Sequence, residues 1–542
     1  MNIRRWLVVV LVGLSVLIVR SSMGEEPKSA TDALKKGDSF LKKGDHDAAI
    51  SAFTEVIRLD PKKAEAYWKR GRAYEEKGNH EKAIADCSVA IRLDSKNAPA
   101  YYDRGRAYGK KGELDSAIAD YNQAIRLDLT FTNAYYNRGC LHVEKREYDS
   151  GITDFTEAIR LNPKDAEAYF GRGGAYEEIR DHDKAIADYT EAIRLNPEYA
   201  EAYYGRGIAY GQRGDLDKAI ADYTEAIRLN PEYADGYYGR GLAYRNKGNY
   251  DNAIANFTAV IRLNPEYAKV YYGRGLAYGD KGDYDKAIID YTKEIRLNPK
   301  YAEAYLGRAL AYGSNGDFDR AIADCNKGIR LNPKLAGAYC VRGTVYEKKG
   351  DYDRAIADCN EAIRLNPKHA EAYHSRGLAY GKKGNTDKAI SDFTESLRLA
   401  PQSAYVYRDR GYGYRKKGDL DKAIADYTEA IRLNPKYAEA YLNRAWAYGK
   451  KGDYDKAIAE YTNLISLAPK DFQAQAYGGR GFAYQSKGEF DKAIDDYTKA
   501  IQLKPQVGGL YFARGLAYAQ KGDKAKAKAD FAQAKKLGVK AP

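Results

Sequence analysis

A chain of 542 residues with 44% hydrophobic and 30% charged residues has the composition of a folded globular protein, yet 51 Tyr against 13 Phe, with 50 Gly and 2 Met, is far from average usage. That bias marks one template copied many times, so the separate cores that this length would ordinarily imply are not expected. The net charge of +13 is spread over recurring positions, which excludes a concentrated nucleic-acid patch.

Residues 1–24 differ from all that follow. Arg4 and Arg5 precede an apolar run from Trp6 to Val19, and Ser22-Met23-Gly24 places small residues ahead of a cleavage point, the three-part layout of a secretory signal. As a helix the run would rise about 21 Å, short of the roughly 30 Å hydrocarbon core of a bilayer. Cleavage near Gly24 and export to the periplasm, cell envelope or medium are therefore expected, with an N-terminal membrane anchor as the alternative. Residues 25–29 read as a short linker, and no membrane span is expected in the mature chain.

From Ala30 to Ala541 the chain repeats with a period of 34 residues, punctuated by Pro163, Pro197, Pro231, Pro265, Pro299, Pro333, Pro367, Pro401 and Pro435. Fifteen units and a two-residue insertion near Phe472 fill residues 30–541. In the unit 200–233, Tyr203 stands at position 4, Gly207 at 8, Tyr210 at 11, Ala219 at 20, Tyr223 at 24, Ala226 at 27 and Pro231 at 32. This three-and-four spacing predicts two amphipathic helices. Gly214 closes the first by accepting a left-handed backbone, Asp217 favours the N-terminus of the second, and Pro231 stops it. Gly207 and Ala219 let the two helices approach while tyrosines fill the space around them. The regularity is weakest over residues 128–182, where Leu129 replaces the proline, Arg146 and Arg180 the glycine, and Gly151 the alanine, leaving a local kink or simple drift as readings. A final capping helix is expected at about 523–537, with Lys524, Lys528 and Lys535 in place of apolar residues.

Together these residues resemble the tetratricopeptide-repeat family, with Tyr and Arg mostly at positions 4 and 7 where the family's common form has Trp and Leu. The resemblance covers residues 30–541 and implies an all-α fold, an α-solenoid of tandem helix-turn-helix repeats forming a right-handed superhelix with a concave channel. Position 7 is Arg in fourteen units, from Arg70 to Arg514, and position 23 is acidic in thirteen, from Asp86 to Asp530. In the first unit Lys36 and Ala52 replace both members; elsewhere Asn256 alone departs at position 23. This pattern predicts an ion pair between the helices of each repeat, such as Arg206 with Asp222.

The search for chemistry returns only template positions. His46, His80 and His182 share position 17, His142 stands in place of the core tyrosine, and His369 and His374 have no metal-ligand spacing. Gly205 and Gly207 lie inside a helix with no strand before them, and Asp215 and Asp217 recur as capping acids. Cys87, Cys325 and Cys359 occupy position 24 and read as buried free thiols. No catalytic, cofactor-binding or metal-binding residue is assigned, and neither an enzyme nor a small-molecule substrate is expected.

The family resemblance implies that positions 2, 5, 9, 12 and 13 face the channel. Position 5 reads Trp68, Tyr102, Tyr136, Phe170, Tyr204, Tyr238 and Tyr272 before changing to Leu306, Cys340, His374 and Arg408. Position 9 contributes Leu242 and Leu276 among other aliphatics. Tyrosine gives large amphipathic contact area at low entropy cost, which suits recognition of peptide or protein partners. The same position-5 rings can instead pack between repeats. The expected function is a non-enzymatic scaffold or adaptor; the alternatives are a substrate-delivery or assembly subunit of an envelope enzyme complex and single-stranded nucleic-acid binding, which export disfavours. The lysine and asparagine positions of the chaperone-tail clamp and the asparagine ladder of sugar-transferring members are not filled.

Overall fold

The computed structural model describes residues 29–467 and 469–539, so the signal segment and most of the linker lie outside the described residues. Among the described residues there are thirty helices and no strand, paired as the period predicts. The unit 200–233 forms helices Ala200–Arg213 and Leu216–Leu229. Gly214 adopts the left-handed conformation between them at φ 89°. Arg146 and Arg180 hold that conformation at φ 62° and 63°, at a cost of about 1–2 kcal/mol each for an L side chain. The irregular stretch keeps the template's helix boundaries despite its substitutions, with helices Thr132–Glu144, Tyr148–Leu161 and Ala166–Glu178.

The helices fall into two compact units, one ending at Asn264 and the other starting at Pro265. In the first, helices Ala30–Lys42 to Tyr250–Leu263 form seven pairs, each helix packed on the one before and after it. The second runs from Ala268–Lys281 to Lys524–Lys536 as eight pairs. Its helix Lys470–Ser486 has 17 residues where others have 13 or 14, which absorbs the insertion near Phe472. In the last helix Ala527 and Ala534 are buried while Lys524, Lys528 and Lys535 are exposed.

The core is a row of wedges. Tyr223 is buried between two glycines, Gly207 of its own repeat and Gly239 of the next, where an added methyl would stand 2.8 and 2.9 Å from the ring. Tyr189 lies in the same way between Gly173 and Gly205, and Tyr291 between Gly275 and Gly307. Buried Ala219 and Ala243 close the space around Tyr223, with Tyr204, Ile208 and Leu216 packed on them. Each repeat thus completes its core only with its neighbour, the reason such arrays stack. All five cysteines are free, with Cys87, Cys325, Cys340 and Cys359 buried.

Candidate partner-binding surface

Position 7 builds the frame beneath the surface. Arg206 donates from Nε and Nη2 to the two carboxylate oxygens of Asp222, both at 2.8 Å, and from Nη1 to the Thr190 hydroxyl at 3.1 Å. Thr190 belongs to the second helix of the preceding repeat, so one side chain ties three helices together. The triple contact recurs at Arg104 with Asp120 and Ser88, and at Arg410 with Asp426 and Thr394. Burial opposes the Arg206 charge, but the bonds to Asp222 outweigh it and raise its pKa. Arg240 shows the converse: its partner is Asn256 at 2.8 Å, and burial lowers its pKa. A second, exposed ladder joins repeats through Lys145 and Asp115 at 2.8 Å, Lys349 and Asp319 at 2.6 Å, and Lys247 and Asp217.

The seven aromatic residues at position 5 are half-buried. Except at Trp68, whose repeat has Cys87 at position 24, their rings meet the position-24 ring of the same repeat, and some meet its last residue: Tyr204 lies 5.7 Å from Tyr223 and 5.1 Å from Tyr233, and Phe170 5.6 Å from Tyr189 and 5.0 Å from Tyr199. Tyr136 packs on Phe155, Tyr238 on Phe257, and Tyr272 on Tyr291 and Tyr301. At several seams position 5 also bonds to position 6 of the next repeat. Trp68 Nε1 donates to Asp103 at 2.7 Å, Asn137 Nδ2 donates to the Tyr102 hydroxyl at 2.8 Å, and His374 Nε2 lies 2.9 Å from Asp409. Burial pushes the Asp103 carboxyl up to about 6 against the Trp68 bond and the nearby Arg72 and Arg106. His374 is buried, which lowers its pKa, but the bonds to Asp409 and Glu371 more than offset this and raise it. The position-5 rings thus pack on their own repeat, Trp68, Tyr102 and His374 also bond to the next one, and part of each of the seven aromatic side chains stays accessible. Leu242 and Leu276, at position 9, are half-buried.

The surface that stands open lies further along position 9, in the unit starting at Pro265. Leu310 is 50% exposed, Tyr412 39%, Trp446 37%, Phe482 56% and Leu516 40%. From Tyr412 onward these belong to successive repeats, and the first two, Tyr412 and Trp446, are linked. The Arg415 guanidinium sits between two rings, 4.5 Å from the Tyr412 centroid and 4.7 Å from that of Trp446, and donates to Asn443 at 3.2 Å. Lys416 lies over Tyr412 at 5.2 Å and Lys450 over Trp446 at 5.5 Å. Three cavities run beside the row: about 500 Å³ at Tyr412, about 300 Å³ between Trp446 and Phe482, and about 370 Å³ between Phe482 and Leu510. Arg408, in the first of them, is held by Asp409 at 2.9 Å and by Glu439. Sequence reasoning stopped at the aliphatic part of position 9 and passed over Tyr412, Trp446 and Phe482. The signal was the change from leucine to aromatic at that position.

Among the described residues, no group of three or more His, Cys, Asp or Glu is placed to hold a metal ion, and no helix is long and apolar enough to cross a membrane. Family models described as tetratricopeptide repeat match residues 34–98, overlapping segments from 136 to 336, then 336–369, 370–403, 438–471, 474–507 and 509–537. One described as TPR repeat matches 105–146 and 411–452. No curated protein matches the chain. Among solved structures, the chain is similar to one in the APC/C hetero-tetramer Cut9-Hcn1, at 17% identity over 93% of this chain and 96% of that one, TM-score 0.42. It is similar to a tetratricopeptide repeat protein of Parabacteroides merdae, at 22% identity over 46% of this chain and 98% of that one, TM-score 0.42. Yeast Tom70 matches at 21% identity over 82% of this chain and all of its own, TM-score 0.38.

Proposed function

The chain belongs to the tetratricopeptide-repeat family, and on that premise we propose that it is a non-enzymatic scaffold, exported by its first 24 residues, that holds peptide or protein partners on its position-9 surface. The observation that carries the reading is the row of exposed apolar side chains at Tyr412, Trp446, Phe482 and Leu516. Folded chains seldom leave large contiguous apolar surface open unless something covers it. Aromatic residues on a rigid helical frame are also the usual anchors of protein interfaces.

The test is photocrosslinking in the native compartment, with a photoreactive residue placed at Trp446 or Phe482 and, in parallel, at Tyr204 or Tyr238. A protein captured at Phe482 and competed away by unlabelled full-length chain is the expected result. Capture confined to Tyr204 and Tyr238 would move the binding surface to the position-5 rings, and no competed capture from any of the four would remove the scaffold reading. N-terminal sequencing of the mature protein decides the export part: a start near Glu25 is expected, and an intact Met1 in the membrane fraction would favour an anchor.

A further inference from the structure

Along the position-9 row the chemistry changes from one end to the other. At the Tyr412 end cations gather: Arg415, Lys416 and Lys450 lie on the rings, and Lys382 lines the neighbouring cavity. Arg415, Lys416 and Lys450 form no ion pair among the described residues, Lys382 acts on the half-buried Glu347, and Arg408 beside them is already paired with Asp409 and Glu439. At the Phe482 end the cavities are walled chiefly by apolar or small residues, among them Ala474, Gly478, Val507, Leu510 and Ala513. In the same two repeats the adjacent Lys417 and Lys451 are engaged in the cross-repeat ladder, with Asp387 and Asp421. Lys416 and Lys450 each precede such a ladder lysine in the chain and remain over the rings.

Resting on the scaffold reading above, we propose that this strip takes one kind of partner, a peptide segment with a block of Asp or Glu followed or preceded by aromatic or aliphatic side chains. The acidic block lies over Arg415, Lys416 and Lys450, and the apolar block enters the cavities on either side of Phe482. The mixed strip suits a peptide better than a nucleic-acid strand. A strand carries one charge per nucleotide along its whole length and needs open ring faces for its bases. Here the facing sides of Tyr412 and Trp446 already hold Arg415, and the unpaired cations are concentrated at one end.

The experiment is selection of displayed random peptides on the immobilised full-length chain, followed by fluorescence anisotropy of the selected peptides against variants whose helicity and melting are checked by circular dichroism. Selected peptides are expected to pair an acidic block with an apolar one. Phe482→Ala should weaken them by about tenfold or more, as loss of an aromatic anchor does. The surface variant Lys416→Glu/Lys450→Glu, which removes no buried group, should weaken them comparably and flatten their salt dependence. No selected binder, peptides without acidic enrichment, unchanged affinity in both variants, or displacement by an oligothymidylate probe would each overturn the proposal. Binders that ignore both variants leave the scaffold reading standing at another surface; absence of both binders and crosslinked partners ends both.

Discussion

A methyl at Gly207 would stand 2.8 Å from Tyr223 Cε1 and 2.9 Å from Cδ1, closer than carbon atoms pack, and the ring cannot retreat because Gly239 meets its other side. Gly207→Ala therefore sets two terms against each other: about 1 kcal/mol gained in helix propensity and about 1–3 kcal/mol lost to overpacking. The expected net is a loss of about 1 kcal/mol. Tyr223→Ala alone costs about 3–5 kcal/mol through the cavity it leaves. In that background the ring is gone, the propensity term is opposed only by a backbone contact that stands at 3.2 Å in the equivalent pair Gly105 and Ala117, and Gly207→Ala should stabilise by up to about 1 kcal/mol. The coupling between the two sites is then about 1–2 kcal/mol. One repeat of this chain already shows the effect: Ala445 stands at position 8 opposite a tyrosine, and there Tyr461 Cε1 would lie 2.6 Å from a methyl at Gly479 of the next repeat, closer than the 2.9 Å of Tyr223 Cε1 at Gly239. Urea unfolding followed by far-ultraviolet circular dichroism gives the double-mutant cycle, and amide exchange in helix Leu216–Leu229 localises it. A Gly207→Ala effect of the same sign and size in both backgrounds would refute the wedge.

Asp222→Ala leaves Arg206 half-buried with only Thr190, and should cost about 2–4 kcal/mol in the same urea assay. Asp222→Asn should cost about 1 kcal/mol, because Asn256 shows that an amide can hold the guanidinium with one bond. Glu294 sits at position 27, where the template has alanine, fully buried and with both carboxylate oxygens lacking hydrogen-bond partners. Burial raises its pKa against the influence of Lys269, so its protonated form favours the fold. Stability is thus highest below the ordinary carboxylate range and falls as pH rises through the raised value. Glu294→Ala should gain about 1–3 kcal/mol above that value and progressively less toward acid pH; a gain independent of pH would contradict the assignment.

The helix pairs were legible because the period is exact to the residue apart from the insertion near Phe472, and its punctuation is physical: glycine at the left-handed turn and proline after the second helix. The turn survives even where the glycine does not, since the Arg146 and Arg180 backbones keep a positive φ. Neighbouring wedges and caps over-determine the path of the chain there. The recurrence of arginine and acid at positions 7 and 23 points to pairs, but it does not carry the third partner. Thr190 and its equivalents are polar residues of an ordinary helix until the next repeat docks. Position 5 has the composition of a binding wall, and sequence alone leaves two placements for it. Its rings meet the position-24 rings of the same repeat, a contact between two helices that the spacing within either helix does not contain. Glu294 is visible in the sequence only as a departure from alanine; its lack of a hydrogen-bond partner is a property of the packed neighbours.

Repetition also explains why the candidate surface is short. A position can vary freely only if neither the wedge nor the three-helix arginine tie depends on it, and position 9 meets that condition: its neighbours at 7 and 8 carry the tie and the glycine, while its own side chain points out of the seam wherever it is exposed. Over the length of the array it changes from Asp38, Arg72 and Arg106 through Ile208, Leu242 and Leu276 to Tyr412, Trp446 and Phe482. In the early repeats its charges are consumed locally, as when Arg106 meets Glu75 at 2.9 Å. The aromatic stretch has no such internal partner except the cations laid on its rings, and a cation–π contact at an exposed site is worth only about 0.5–1 kcal/mol. That is small enough for an incoming carboxylate to draw Lys416 or Lys450 off its ring without disturbing a frame that rests on Arg410 with Asp426 and Arg444 with Glu460. The rigid part and the adaptable part of the molecule are thus two positions apart on the same helix.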